Sequence, residues 1–276
     1  MKKIVLLTLV CISAIFVTAC KADSSQKDSN ATQPQIEVAT QPQPENEIWY
    51  TSKDGTIVEP QEVLKRYISN VFGANLVSNT YQDGKGVIVF DDVVKYIGPA
   101  FKDNCNLTSI SIPEGVTKIA QSSFYNCTSL SSVTIPRGVT EIGDRAFCNC
   151  TSLTSIIIPN SVIHIGDRAF AFCTSLTSIA IPYPSSYSTT SLGEKAFAYC
   201  KSLTSIYCKS SNPPSLYGGN AFEGVSSDCN LYVPTKSVEI YKKTTGWRRF
   251  YSTTIGYDFP QEYYDKATNR IRGYND

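Results

Sequence analysis

Histidine is almost absent from this sequence, and neither sign of charge dominates. His164 is the only histidine in 276 residues, and 25 Lys and Arg stand against 24 Asp and Glu. A single histidine argues against a histidine-based triad and a two-histidine metal site. The near-neutral balance argues against the basic stripe that phosphate binding requires. Because G-x-S-x-G, H-E-x-x-H and phosphate-binding glycine motifs are also missing, we expect no enzyme activity, catalytic residue, metal, cofactor or nucleic-acid partner.

The first 20 residues indicate export. An apolar stretch from Ile4 to Ala19 follows Lys2 and Lys3; it is typical of a signal peptide and short for a membrane span. Val17-Thr18-Ala19-Cys20 resembles the lipobox of bacterial lipoproteins, although an ordinary cleaved signal peptide is the alternative. We predict a signal peptide at residues 1–19 and lipidation of Cys20. The mature protein is then anchored in the bacterial cell envelope, on the outer membrane and exposed at the surface, with membrane contact through lipid only.

A 23-residue unit repeats over residues 86–235. The repeat phenylalanines lie 23 residues apart in the first units and 27 and 25 apart in the last two; they are Phe101, Phe124, Phe147, Phe170, Phe197 and Phe222. A unit of this length cannot bury its own apolar face and must stack on its neighbours. The period therefore predicts a solenoid.

Each unit contains the motif Leu-Thr-Ser-Ile-x-Ile-Pro, whose alternation predicts a strand with one solvated face. Ile110 and Ile112 point inward, and Pro113 ends the strand because proline cannot donate to the ladder. A second short extended piece follows, as at Val139 to Ile142. We expect Asp144 to cap a single helical turn that carries the next Ala and Phe into the core.

Four cysteines follow the repeat phenylalanines at a spacing of three residues: Cys127, Cys150, Cys173 and Cys200. Zinc ligands come in closely spaced pairs, whereas these cysteines come once per coil. We interpret them as a buried ladder of packed thiols. Disulfides stay open as an alternative, because stacked coils lie within disulfide range and export removes the redox objection.

The repeat resembles the BspA-like leucine-rich-repeat family of bacterial surface lipoproteins. Residues 153–173, LTSIIIPNSVIHIGDRAFAFC, match the family pattern L-x-x-I-x-I-P-x-x-V-x-x-I-G-x-x-A-F-x-x-C at every fixed position. The resemblance implies a mostly β right-handed superhelix of about six 23-residue coils, with parallel strands on the concave face. It also implies adhesion to host proteins or other cells, and it carries over no catalytic residue.

Both ends depart from the repeat in the manner of solenoid caps. Residues 20–47 comprise the lipidated Cys20 and a polar segment that we expect to be a disordered tether. Residues 48–85 form a small α/β N-terminal cap, with a helix from Pro60 to Phe72 and a hairpin that turns at Asp83-Gly84. Residues 236–276 form a short helical C-terminal cap and tail, in which Trp247 and Phe250 close the core.

Partner contacts are expected on the outward strand positions. One outward column is serine in five successive units, whereas the next becomes apolar and aromatic toward the C-terminus through Ile157, Tyr207 and Tyr232. An insertion adds Tyr183 and Tyr187 as further possible contacts. We predict a surface-anchored protein-binding module, an adhesin or host-interaction protein. A glycan-binding accessory protein of an envelope uptake system and a structural spacer stay open as alternatives.

Overall fold

The computed structural model describes residues 42–61, 71–184, 190–250 and 252–256, which belong to one compact unit. The signal peptide, Cys20, most of the predicted tether and most of the predicted cap helix lie outside these residues. Within the described ranges, the chain has no helix with the length and apolar character needed to cross a bilayer.

The described residues contain short strands and, apart from the helical residues 71 and 72, one short α-helix. The strands are β1 Glu47–Ser52, β2 Leu76–Gln82, β3 Lys85–Phe90, β4 Tyr96–Ile97, β5 Leu107–Ser111, β6 Lys118–Ile119, β7 Ser132–Thr134, β8 Glu141–Ile142, β9 His164–Ile165, β10 Ser178–Ile181, β11 Ser191–Leu192, β12 Ser205–Cys208, β13 Asn230–Val233 and β14 Thr254–Gly256. The helix, α1, spans Val238–Lys243.

Successive repeats add one strand to each of two parallel ladders. The Leu-Thr-Ser-Ile strands pair in register, as in β5 with β7 and β10 with β12, and we call the surface that they form the β face. The second short pieces form a continuous ladder in the order β4, β6, β8, β9, β11. This second ladder confirms the predicted extended piece after each turn.

The repeat phenylalanines form one continuous stack inside the solenoid. Neighbouring ring centroids lie 5.1–5.5 Å apart, and neighbouring ring planes are within 10° of parallel. All of these phenylalanines are fully buried. Each coil therefore places one ring directly on the ring of the coil before it.

The cysteine ladder packs beside this stack as free thiols. Cys150 Sγ donates to the carbonyl oxygen of Phe124 at 3.2 Å, and Cys173 Sγ donates to that of Phe147 at 3.2 Å. Each of these carbonyls also accepts a backbone N–H of its own coil, so the thiol supplies its second hydrogen bond and links adjacent coils.

The prediction that Asp144 caps its own helical turn is wrong. Residues 144–149 form a non-helical turn, and Asp144 Oδ1 accepts a hydrogen bond from the Asp167 backbone N–H at 2.8 Å. Asp167 Oδ1 in turn accepts from the Glu194 N–H at 2.7 Å. Because the turns of adjacent coils stack, the nearest unpaired amide belongs to the next coil, so these carboxylates join coils.

One predicted strand is missing. Residues 153–158 form no strand, although Ile156 and Ile158 are buried and Ile157 points outward as expected. The β face is therefore divided into a ladder that ends at β7 and one that begins at β10. Parallel strands this short contribute few hydrogen bonds each, so the side-chain alternation persists where the ladder does not.

The N-terminal boundaries differ from the prediction. β3 belongs to the cap, because β1 inserts between β3 and β5 and pairs antiparallel with both. The predicted hairpin is present, with Asp83 and Gly84 in the left-handed region at φ 50° and 78°. The described chain also reaches back into the predicted tether, where Gln43 Nε2 donates to the Ser111 carbonyl oxygen at 2.9 Å. The cap therefore includes residues that the sequence analysis had assigned to the tether and others that it had assigned to the repeats.

The C-terminal end is covered by α1 and aromatic side chains. Trp247 and Phe250 are buried against Phe222, as predicted, with ring centroids 5.5 Å from it in both cases. Tyr241 on α1 donates its hydroxyl to the Ser210 carbonyl oxygen at 2.8 Å. β14 continues the β face beyond β13 and was missed in the sequence because it lacks the repeat motif.

Candidate functional site

The β face presents two columns of outward side chains. Strand pairing places Thr51 beside Ser109 and Trp49 beside Ser111, so β1 extends both columns toward the N-terminus. The first column consists of uncharged hydroxyl and amide side chains: Thr51, Ser109, Ser132, Ser155, Ser178, Ser205 and Asn230. The second column consists of Trp49, Ser111, Thr134, Ile157, Ala180, Tyr207, Tyr232 and Ile255.

The second column changes character along the solenoid. Ser111 and Thr134 are polar, whereas the positions from Ile157 to Ile255 are apolar or aromatic. Ile157 is 46% exposed and Ile255 is 39% exposed. We call Ile157, Ala180, Tyr207, Tyr232 and Ile255 the apolar end. Its neighbouring first-column positions are Ser155, Ser178, Ser205 and Asn230, so the outward columns carry no charge there.

Two tyrosines form the centre of the apolar end. The rings of Tyr207 and Tyr232 stack at 4.8 Å between centroids with their planes 13° apart. Ala180 lies beside Tyr207 in register. Because its side chain is small, the column has a shallow depression between the side chains of Tyr207 and Ile157. The structure thus brings three predicted contact residues, Ile157, Tyr207 and Tyr232, into one column.

The insertion residues are not part of this column. Tyr183 is half-buried, and its backbone N–H donates to Asn160 Oδ1 at 3.2 Å. Thr190, at the other end of the insertion, is fully buried and donates to the Val162 carbonyl oxygen at 2.9 Å. Tyr187 and the predicted lipidation site Cys20 lie outside the described residues.

Trp49 and Lys85 were missed by the sequence reasoning. Lys85 Nζ lies 3.1 Å from the centre of the Trp49 ring, and Trp49 Nε1 donates to Glu47 Oε2 at 2.7 Å. Alternation of buried Ile48 and Tyr50 around Trp49 was the available signal. It was overlooked because only the antiparallel pairing of β1 with β5, a long-range contact, places Trp49 on the β face.

Several polar groups away from the β face make contacts between coils. His164 Nδ1 lies 2.9 Å from Ser191 Oγ on the second ladder, and Lys118 pairs with Glu141 there at 2.9 Å. Among the described residues, no cluster of three or more His, Cys, Asp or Glu side chains could hold a metal ion. The carboxylates of Asp144 and Asp167 are engaged by backbone amides of the next coil.

The thiols are poor nucleophiles. Burial raises the pKa of Cys127, Cys200 and Cys208 to about 12, and it raises the pKa of Cys150 and Cys173 well above the ordinary value. Because the thiolate is the reactive form, these side chains are held in an inert state near neutral pH. The ladder is therefore part of the packing.

Residues 95–227 match the family model described as "BspA type Leucine rich repeat region", in six copies. A solved leucine-rich repeat protein of T. pallidum is 33% identical over 42% of this chain and 53% of that chain, with a TM-score of 0.40. One from Bacteroides ovatus is 26% identical over 57% of this chain and 45% of that chain, with a TM-score of 0.38. The chain thus spans about half of each of these proteins.

The pneumococcal vaccine antigen PcpA is 18% identical over 65% of this chain and 46% of that chain, with a TM-score of 0.41. No curated protein sequence matches the chain.

Proposed function

Because residues 95–227 are a BspA-type leucine-rich repeat region of six copies, we propose that this chain is a bacterial surface protein that binds another protein through the apolar end of its β face. The fold is built mainly from strands in parallel sheets, with few helices. Such a scaffold presents a long row of side chains, which suits recognition of a macromolecular partner.

The change along the second column carries this proposal. A solvated strand face without a partner normally keeps polar side chains outward, and the first column does so in every unit from Thr51 to Asn230. The second column instead exposes Ile157 and Ile255 around the stacked Tyr207 and Tyr232. Apart from Trp49 at the opposite end of the same column, the departure is confined to the apolar end, so it is a local feature of the surface.

The chemistry of the apolar end favours a protein partner. Tyrosine is enriched at the centre of protein interfaces, and charged side chains are depleted there. The Tyr207–Tyr232 stack fixes both rings before a partner arrives, which lowers the entropy that binding must otherwise remove. The shallow depression over Ala180 can receive an apolar side chain of the partner between Tyr207 and Ile157.

Paired variants of the mature protein test this proposal. Replacing Tyr207 and Tyr232 together by Ala is expected to weaken binding to extracellular-matrix or host surface proteins by at least about tenfold, because central interface tyrosines carry much of the affinity. Tyr217→Ala is the matched control, since Tyr217 is 59% exposed and lies outside both columns. Biolayer interferometry against a panel of such proteins measures both. Equal binding by the double variant and the control contradicts the proposal.

Surface attachment is proposed to occur through lipid on Cys20, supported by the lipobox-like Val17-Thr18-Ala19-Cys20. Two or three acyl chains are sufficient to hold a protein on a membrane. Cys20→Ser is expected to abolish labelling by a radioactive fatty acid and to move the protein out of the membrane fraction. A variant that stays labelled and membrane-bound contradicts this attachment.

A further inference from the structure

The opposite end of the β face contains a small open cavity of about 170 Å³. We call this region the hydroxyl end; its polar and aromatic lining includes Trp49, Thr51, Lys85, Ser109, Ser132 and Thr134, with Tyr50 and Ser111 between them. Cavities that hold drug-sized ligands are typically about 300–1,000 Å³. The hydroxyl end is therefore sized for a single small ring.

Lys85 carries the only charge among the residues that line this cavity. The nearby carboxylate of Glu47 does not line it and accepts the Trp49 indole N–H at 2.7 Å. The ammonium group favours an anionic ligand, because no lining carboxylate neutralises it. Lys85 Nζ currently rests over the Trp49 ring at 3.1 Å from its centre, a cation–π contact that an ion pair with a ligand can replace.

Hydroxyl groups form the rest of the polar lining. Thr51 Oγ1 lies 2.6 Å from Ser109 Oγ, so β1 and β5 join their hydroxyls into one cluster. Ser132 and Thr134 continue this lining on β7. A hydroxyl both donates and accepts hydrogen bonds, which matches a ligand that itself carries several hydroxyls. A site for a simple anion alone needs further cations or amide donors in place of these groups.

The Trp49 indole supplies the apolar surface that a sugar ring requires. Trp49 is half-buried on β1, and its ring borders the cavity beside Lys85. The C–H face of a pyranose packs on such an indole while its hydroxyls bond to serine and threonine. From this combination of one ammonium, one indole and clustered hydroxyls, we propose that the hydroxyl end binds a single acidic sugar residue of the uronic acid class.

This site is separate from the apolar end, so it does not depend on protein binding there. Ile157 lies in the coil after Thr134, beyond the cavity lining. Variants at Tyr207 and Tyr232 are expected to leave sugar binding unchanged, and variants at Lys85 are expected to leave protein binding at the apolar end unchanged. Failure of one proposal is therefore distinguishable from failure of the other.

Tryptophan fluorescence of the mature protein tests the inference directly. The chain has two tryptophans; Trp247 is fully buried with its indole N–H donated to the Pro214 carbonyl oxygen, and Trp49 is half-buried at the cavity. Acrylamide quenching consequently reports mainly on Trp49. Glucuronate is expected to protect Trp49 from quenching in a saturable manner. Glucose and acetate are expected to need at least about tenfold higher concentrations for the same protection, because glucose lacks the carboxylate and acetate lacks the sugar ring with its hydroxyls.

Lys85→Gln is expected to weaken glucuronate protection by at least about tenfold, the loss typical of one charge-assisted hydrogen bond. The control is Lys201→Gln, because Lys201 is exposed in a turn outside the cavity. An unchanged Trp247 emission shows that each variant is folded. The inference is overturned if glucuronate gives no protection, if glucose or acetate protects as well as glucuronate, or if Lys85→Gln binds like Lys201→Gln.

Discussion

At the scale of single residues, side chains that share one repeat position form bonds between coils. Asp167 accepts the N–H of Glu194, and Cys150 donates to the carbonyl oxygen of Phe124. The Asp167 carboxylate pairs a backbone amide of the next coil, and the Cys150 thiol gives the Phe124 carbonyl oxygen a second hydrogen bond besides the one from the Cys127 N–H. The residue type at these positions is therefore set by the neighbouring coil.

Asp167→Ala is expected to lower the free energy of unfolding by roughly 0.5 to 1 kcal/mol, the cost of losing a side-chain acceptor for a backbone amide. The measurement is urea denaturation of the mature protein. Asp228→Ala is the control, because Asp228 is exposed and lies outside the stacked turns. Equal destabilisation by the two variants contradicts the bond between coils.

The buried thiols predict a loss of stability in alkali. Folding raises the pKa of Cys127 from 9.0 to about 12, because burial disfavours the thiolate. Unfolded protein therefore releases this proton first, so the stabilisation is complete below about pH 9 and is lost as pH rises toward 12. Each such thiol contributes a slope of about 1.4 kcal/mol per pH unit in that window.

Denaturation measured between pH 9 and pH 11 checks this slope. Cys127→Ala is expected to reduce the slope of unfolding free energy against pH by about 1.4 kcal/mol per pH unit, the contribution of one buried thiol. Cys105→Ala, at an exposed cysteine, is expected to leave this slope unchanged. Identical slopes in the two variants contradict a buried, protonated Cys127.

At the scale of elements, the two ladders differ in continuity. The second ladder runs without a break from β4 to β11, whereas the β face has no strand at residues 153–158. Thr177 N–H still donates to the Thr154 carbonyl oxygen at 3.2 Å. The coil that contains residues 153–158, which we call the third coil, is therefore still hydrogen-bonded to the next coil at the start of this segment. The break contains the exposed Ile157, where the second column becomes apolar.

Hydrogen exchange is expected to show this break. The amides of residues 155–158 make no strand hydrogen bonds, so they are expected to exchange at least about tenfold faster than those of β12, whose ladder is intact on both sides. Exchange followed by mass spectrometry or NMR measures the two sets in one sample. Equal protection contradicts an interrupted β face.

At the scale of the whole molecule, stability is a sum of contacts between neighbouring coils. Phe147 is fully buried between Phe124 and Phe170. Phe147→Ala is expected to cost about 3–5 kcal/mol, as is typical of a cavity left by a buried phenylalanine.

Phe172→Asn provides the control for the same measurement. Phe172 is 44% exposed and has a φ of 62°, a region that asparagine adopts more readily. Its replacement is expected to cost no more than about 1.5 kcal/mol, because it removes only the partly exposed stack of the Phe172 ring on Tyr199. A comparable loss in both variants contradicts the role of the phenylalanine stack.

The periodic part of the fold was predictable because repetition supplies the same information several times. Leu, Ile, Phe and Cys positions could be assigned to the core by their spacing, and Ile157, Tyr207 and Tyr232 could be placed on one outward column. The hydrogen bond that Asp144 accepts could not be predicted, because its donor, the Asp167 N–H, lies in the next coil. Trp49 and Lys85 were missed because β1 reaches the β face through a pairing 58–62 residues away in sequence, between Trp49 and Ser111 and between Thr51 and Ser109.

The uneven continuity of the ladders has a mechanical consequence. Tension along the solenoid is resisted where hydrogen-bonded strands and stacked rings continue, along the second ladder and the phenylalanine stack. The third coil keeps the second ladder but has no strand on the β face. We therefore expect the solenoid to bend most easily at this coil, and such bending moves the apolar end relative to the hydroxyl end. A load applied between the two ends of the β face would therefore change their separation before it unfolded either one.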